Sequence, residues 1–99
     1  MLNIKKDQNG NALTIALEGR LDTTSAPELE AEVKAALEGV TELTFDINEL
    51  QYISSAGLRV LLMAQKTMNK QGNMIVTGAN EDIRDIFDVT GFTDILTIK

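Results

Sequence analysis

Strands alternating with helices after an initial hairpin predict an α/β fold with a mixed, mostly parallel sheet. Two observations carry that reading. Apolar residues alternate with polar ones on both sides of Asn9-Gly10, the pattern of an antiparallel hairpin. Beyond Gly19 the apolar period becomes helical, and it then returns to strand and helix in turn. The expected order is β-β-α-β-α-β-α-β. With only three helices, their cover of the sheet should be uneven. No linker, low-complexity tract or internal repeat interrupts residues 1–99, so a single domain is expected.

Each element has its own signals. Leu2 and Ile4 alternate before the turn, and Leu13, Ile15 and Leu17 alternate after it. Ser25-Ala26-Pro27-Glu28 reads as a capping box, with Ser25 capping and Glu28 reaching back. Pro27 suits a first turn, where its missing N–H costs little. Ala26, Leu29, Val33, Ala36 and Leu37 follow at helical spacing, and Gly39 closes that helix. Leu43, Phe45 and Ile47 form the next strand, which leads into Asp46–Leu50. A strongly apolar helix then begins near Gly57 and runs through Leu58, Leu61, Leu62, Gln65 and Met68 to Gly72. Met74-Ile75-Val76 is too short for a helix and reads as a buried strand. Asn80 caps a third helix with Glu81 and Asp82 in its first turn, Ile83, Ile86 and Phe87 as its apolar stripe, and Gly91 as its stop. Ile95 and Ile98 are assigned to a last short strand.

Composition narrows the chemistry. The 99 residues hold no His, Cys or Trp. Without His or Cys there is no Ser-His-Asp triad, no Cys-His pair and no imidazole or thiolate metal site. The commonest side chain for acid–base work near neutral pH is missing too. Neither an enzyme nor a bound cofactor or metal is expected. A net charge of −6 repels phosphate backbones and anionic membranes, so neither nucleic acid nor membrane is expected as a partner. A cationic protein surface is the natural electrostatic counterpart, although the charge also serves solubility. The longest strictly apolar run is Val60–Ala64, far short of the roughly 20 residues of a membrane span. Charge follows the N-terminus at Lys5-Lys6, with no signal-peptide apolar stretch, so a cytoplasmic location is expected.

The polar spot that stands out is Ser54-Ser55 at the start of the second helix. A serine there caps the helix by accepting a bond from an orphan backbone N–H. The same geometry would let the fold tolerate a phosphoserine, since a helix N-terminus stabilises an added anion. Gly57 leaves room for close approach, by a partner or by the chain's own sheet. Asp22 and Asp46 each follow a predicted strand, and ligands gather at the carboxyl ends of parallel strands. Both are placed near the serines, either as functional acids or as turn carboxylates.

Leu43-Thr44-Phe45-Asp46-Ile47 and Tyr52-Ile53-Ser54-Ser55-Ala56-Gly57-Leu58-Arg59-Val60-Leu61-Leu62 resemble the signature of anti-sigma-factor antagonists, the STAS domain. Glu18-Gly19-Arg20-Leu21-Asp22 followed by Ser25-Ala26 resembles that family's Gly-x-Leu-Asp block. The resemblance runs through nearly the whole chain. It implies a bacterial, cytoplasmic partner-switching protein that binds an anti-sigma factor, itself a serine kinase, and releases it on phosphorylation. A PP2C-type phosphatase would restore binding. By position the phosphoacceptor would be Ser55, with Ser54 the runner-up. Many members carry the acceptor directly before the glycine, whereas this chain has Ala56 there and Ser54 where an Asp often stands. The expected partner-binding surface comprises Asp22, Thr23, Thr24, Asp46, Ala56, Gly57 and Arg59. The alternative is a constitutive STAS interaction subunit of a transport or sensory complex. A phosphoryl-accepting aspartate domain centred on Asp46 fits poorly, because Asp7 is the only acid near the first strand. No Gly-x-x-x-x-Gly-Lys loop speaks for nucleotide binding either.

Overall fold

The computed structural model describes residues 2–99. The chain runs through β1 (Leu2–Asn9), β2 (Ala12–Leu21), α1 (Ala26–Ala36), β3 (Glu42–Ile53), α2 (Ser55–Gln71), β4 (Asn73–Thr77) and α3 (Glu81–Thr90). The strands lie in the order β1-β2-β3-β4. The first pair is antiparallel and the other two pairs are parallel, so the sheet is mixed as expected. The hairpin closes through Gly10 and Asn11 between the paired Asn9 and Ala12. Gly10 has φ 63° and no non-glycine residue among the described residues has positive φ, which is the sign pattern of a II′ turn with glycine first.

All the helices cover one face of the sheet. Leu13, Ile15 and Leu17 of β2, Leu43, Phe45 and Ile47 of β3, and Met74 and Val76 of β4 are buried. They share one cluster with Leu29 and Val33 of α1, Leu61 and Met68 of α2, and Ile83 and Phe87 of α3. The residues between them, Thr14, Ala16, Thr44, Asp46, Ile75 and Thr77, are only half-buried and form the other face. The period-2 alternation of strand side chains produces that division. The shortest dimension, 19 Å, is that of one sheet and one helical layer. Ile75 therefore sits on the open face, and β4 is buried on one side only.

Two predicted features take a different form. The last strand is reduced to a single parallel bridge between Val76 and Ile98, held by Val76 N–H to Thr97 O (2.9 Å) and Lys99 N–H to Val76 O (2.8 Å). A 3-10 turn at Phe92–Asp94 uses up the preceding residues and buries Leu96, leaving Ile95 at 45% exposure. The second difference is the length of β3, which continues to Ile53 through two register shifts against β2. Ala16 faces Asp46 but Glu18 faces Glu49, and Gly19 faces Leu50 but Arg20 faces Tyr52, so β3 carries an extra residue at each step. Such bulges bend a strand and re-aim its side chains, and the buried positions accordingly run Ile47, Leu50, Ile53 rather than alternating.

The end of α2 is tied to its neighbours. Gln71 Nε2 donates to Leu37 O at 2.7 Å and to Val40 O, joining α2 to the end of α1. A Cβ at Gly72 would overlap the Thr41 carbonyl, so the chain passes close beneath the start of β3 there.

Candidate functional site

The ends of β2 and β3 meet the starts of α1 and α2 at one edge of the molecule. The Ser54 N–H donates to Leu21 O at 2.8 Å, which sets the first residue before α2 beside the last residue of β2. Asp22 to Ser25 lead from that point into α1.

Ser54 and Ser55 have different surroundings. Ser54 is the N-cap of α2, with extended backbone, and its Oγ accepts from Gly57 N–H at 3.3 Å. It is half-buried. Ser55 is the first helical residue and is exposed, and its hydroxyl makes no hydrogen bond among the described residues. One serine thus satisfies an orphan amide of the helix start, and its neighbour presents a free hydroxyl beside the same positive dipole end.

Gly57 is buried against its own sheet. A Cβ there would stand 2.6 Å from Leu21 Cγ and 2.9 Å from Ile53 Cγ1, both on buried side chains. Of the two uses expected of this glycine, the structure favours close packing of α2 onto the strand ends.

The start of α1 differs from the expected capping box. Ser25 has helical dihedrals and makes no side-chain cap bond. Its Oγ accepts from Asp22 N–H at 2.9 Å and donates to Arg20 O, also at 2.9 Å. Asp22 takes over the capping, one turn earlier. Its Oδ1 accepts from Ser25 N–H at 3.0 Å and Thr24 N–H at 3.1 Å, with Ser25 Oγ also 3.1 Å away. The Ser25 amide, with the Ser25 hydroxyl and Thr24 amide behind it, holds the Asp22 carboxyl below its ordinary range, against a smaller opposing effect of desolvation. Thr23 and Thr24 are exposed on this turn.

Asp46 does not join the site. It pairs with Ala16, five residues before Leu21 on β2, which at the strand rise is about 16 Å from the serines. The expectation of Asp46 beside the phosphoacceptor took β3 to end near Asp46, whereas the strand runs seven residues further, to Ile53. Asp46 Oδ1 instead accepts from Asn48 N–H at 3.0 Å, within the first bulge. A bulge leaves a backbone donor out of the ladder, and a short carboxylate two residues away satisfies it.

Beside Ser55 the surface opens into a groove of about 520 Å³ between α1 and α2. Ala56, Arg59 and Val60 of α2 line it, with Thr23 of the turn before α1 and Pro27, Glu30, Ala31 and Lys34 of α1. The α1 residues were not anticipated from sequence, although their three- and four-residue spacing places them on one helix face. Arg20 and Tyr52 were missed as well. They face each other in the last rungs of β2 and β3, with the guanidinium 4.5 Å from the ring centroid. That is cation–π distance.

The STAS domain model matches residues 3–99, and the chain belongs to that family. The anti-sigma-B factor antagonist of Bacillus subtilis (strain 168) is 30% identical over 99 residues, covering 99% of this chain and 91% of that protein. The crystal structure of an anti-sigma factor antagonist from Mycobacterium paratuberculosis superposes with a TM-score of 0.90 at 18% identity, over 99% of this chain and 85% of that one. The Bacillus cell fate determinant SpoIIAA in its phosphorylated form matches with a TM-score of 0.77 at 18% identity, over 98% and 91%. At such identities the two structures establish a shared fold. No helix among the described residues is long and apolar enough to cross a membrane.

Proposed function

We propose that this chain is an anti-sigma factor antagonist whose binding is switched off by phosphorylation of Ser55. The observation that carries the proposal is the division of labour at the start of α2. Ser54 Oγ is occupied as the cap, while Ser55 Oγ is exposed, unbonded and next to the groove between α1 and α2. The curated relative named above supports the partner class. In this reading the unphosphorylated surface around Asp22–Thr24, Ser55, Ala56 and Arg59 binds an anti-sigma factor that is also a serine kinase. Transfer of the γ-phosphoryl of ATP to Ser55 Oγ, with loss of the hydroxyl proton, releases the partner, and a PP2C-type phosphatase hydrolyses the ester to restore binding.

The physics of the switch is local. A phosphate at the first position of α2 adds about −1.5 to −2 charges where the helix dipole accepts them, so the fold survives. The same group brings bulk and charge to the interface, next to an Asp22 carboxyl that its turn keeps ionised. Reversing a complex from 99:1 to 1:99 needs about 5.5 kcal/mol of differential affinity. Desolvating a dianion that faces a carboxylate supplies a large part of that.

Capture of the kinase by wild type, Ser55→Ala and Ser55→Asp, together with mass-spectrometric mapping after incubation with kinase and ATP, tests the reading. Wild type and Ser55→Ala should bind, Ser55→Asp should lose binding at least tenfold, and the phosphate should map to Ser55. A Ser55→Asp chain that binds like wild type, with Ser55 unmodified, would instead favour a constitutive interaction subunit.

A further inference from the structure

The surface of α2 beyond its first turn runs against the charge of the rest of the molecule. The chain holds 15 acidic and 9 basic residues, yet none of the 17 residues of α2 is acidic and three, Arg59, Lys66 and Lys70, are basic. Steps of seven and four residues return to the same side of a helix, so the three cations form one stripe. All three are exposed. None of them takes part in an ion pair among the described residues, where the pairs are Lys6–Glu32 and Lys34–Glu30. With the half-buried Leu62 and Met63, and Thr67, they line a shallow groove of about 330 Å³. Arg59 also lines the groove beside Ser55, so the two surfaces are continuous.

We propose that this stripe docks an acidic amphipathic helix of a protein partner. Its carboxylates would face Arg59, Lys66 and Lys70, and an apolar side chain would rest on Leu62 and Met63. From Arg59 to Lys70 the stripe is about 16 Å long, the length of three helical turns. Outside the stripe the chain carries 15 acids against six further cations, so a long phosphate backbone or a bilayer would meet net negative surface beyond it, whereas a segment of three turns need touch only the stripe. Lysines near the end of a helix also favour its dipole, but that does not account for Arg59 or for the apolar floor. The assignment rests on the switch reading only in making the anti-sigma factor the owner of the acidic helix; the chemistry of the surface stands on its own.

The test is a titration of the isotope-labelled full chain, followed by backbone amide NMR shifts. The probe is a 20-residue helical peptide with glutamates and leucines on one face. Saturable shifts should centre on residues 59–70. Affinity should fall about tenfold in a Lys66→Glu, Lys70→Glu double variant, by less in Lys66→Gln, Lys70→Gln, and also as salt rises. The peptide titration needs neither kinase nor ATP, so failure of the phosphoswitch and failure of the stripe are read separately. Shifts elsewhere, no saturation, indifference to charge reversal, or tighter binding of duplex DNA or phosphatidylserine vesicles would overturn the proposal.

Discussion

Around the site each side chain has one dominant physical task. At Gly57 the task is absence of volume, since the Leu21 and Ile53 side chains occupy the space a Cβ would need. Gly57→Ala should therefore lower stability by about 1–2 kcal/mol, because overpacking outweighs alanine's better helix propensity; urea denaturation reads this directly. Asp22 is a fastener of the turn into α1. Its folded pKa is depressed by the Ser25 and Thr24 groups it accepts from, so its contribution is fully present above the unfolded pKa and disappears as pH falls through the folded one. Asp22→Asn should accordingly be less stable than wild type at neutral pH, with the gap closing as the solution is acidified through the carboxylate range. A gap that stays constant down to strongly acidic pH would mean that the charge on Asp22 contributes nothing. The hydrogen bonds of Asp22 are those of a turn carboxylate, and its place after Leu21, whose carbonyl accepts from Ser54 N–H, puts that turn at the same edge as the start of α2.

Among the elements, β3 decides most. Its two bulges carry the strand past Asp46 to Ile53 and deliver Ser54 and Ser55 to the end of β2. Alternating Leu43, Phe45 and Ile47 mark the strand, but the pattern breaks at the bulge, so periodicity locates neither its true end nor the position of Asp46. Asp46→Ala should cost about 1 kcal/mol or less, by freeing the Asn48 amide, and should leave capture of the partner unchanged; weaker capture would return Asp46 to the site. The helices were more legible. Gly72, Asn80 and Gly91 stop, start and stop α2 and α3 as their residue types predict, with Asn80 Oδ1 accepting from Ile83 N–H at 2.8 Å. Ser25 departs from this because Arg20 O and the Asp22 amide lie within reach of its hydroxyl, and a capping-box pattern holds no information about the strand that precedes it.

For the whole molecule, the governing facts are one core and one open sheet face under a net charge of −6. The two exposed ion pairs among the described residues cannot offset the repulsion among that excess of acids. Raising the salt from about 10 to about 150 mM should raise the thermal midpoint by a few degrees, since the Debye length then shrinks to about 8 Å; a lowered midpoint would show that attractive pairs dominate. The amino-acid sequence by itself determined the α/β class, the hairpin, the three helices and the two serines at the start of α2. Those features depend on local periodicity and on residues near in sequence. The tertiary structure decided which serine is free, that Asp46 lies far from it, that α1 lines the groove, and that α2 turns a cationic stripe outward from an acidic chain. Each of these depends on register and on the packing of residues distant in sequence, which periodicity does not encode.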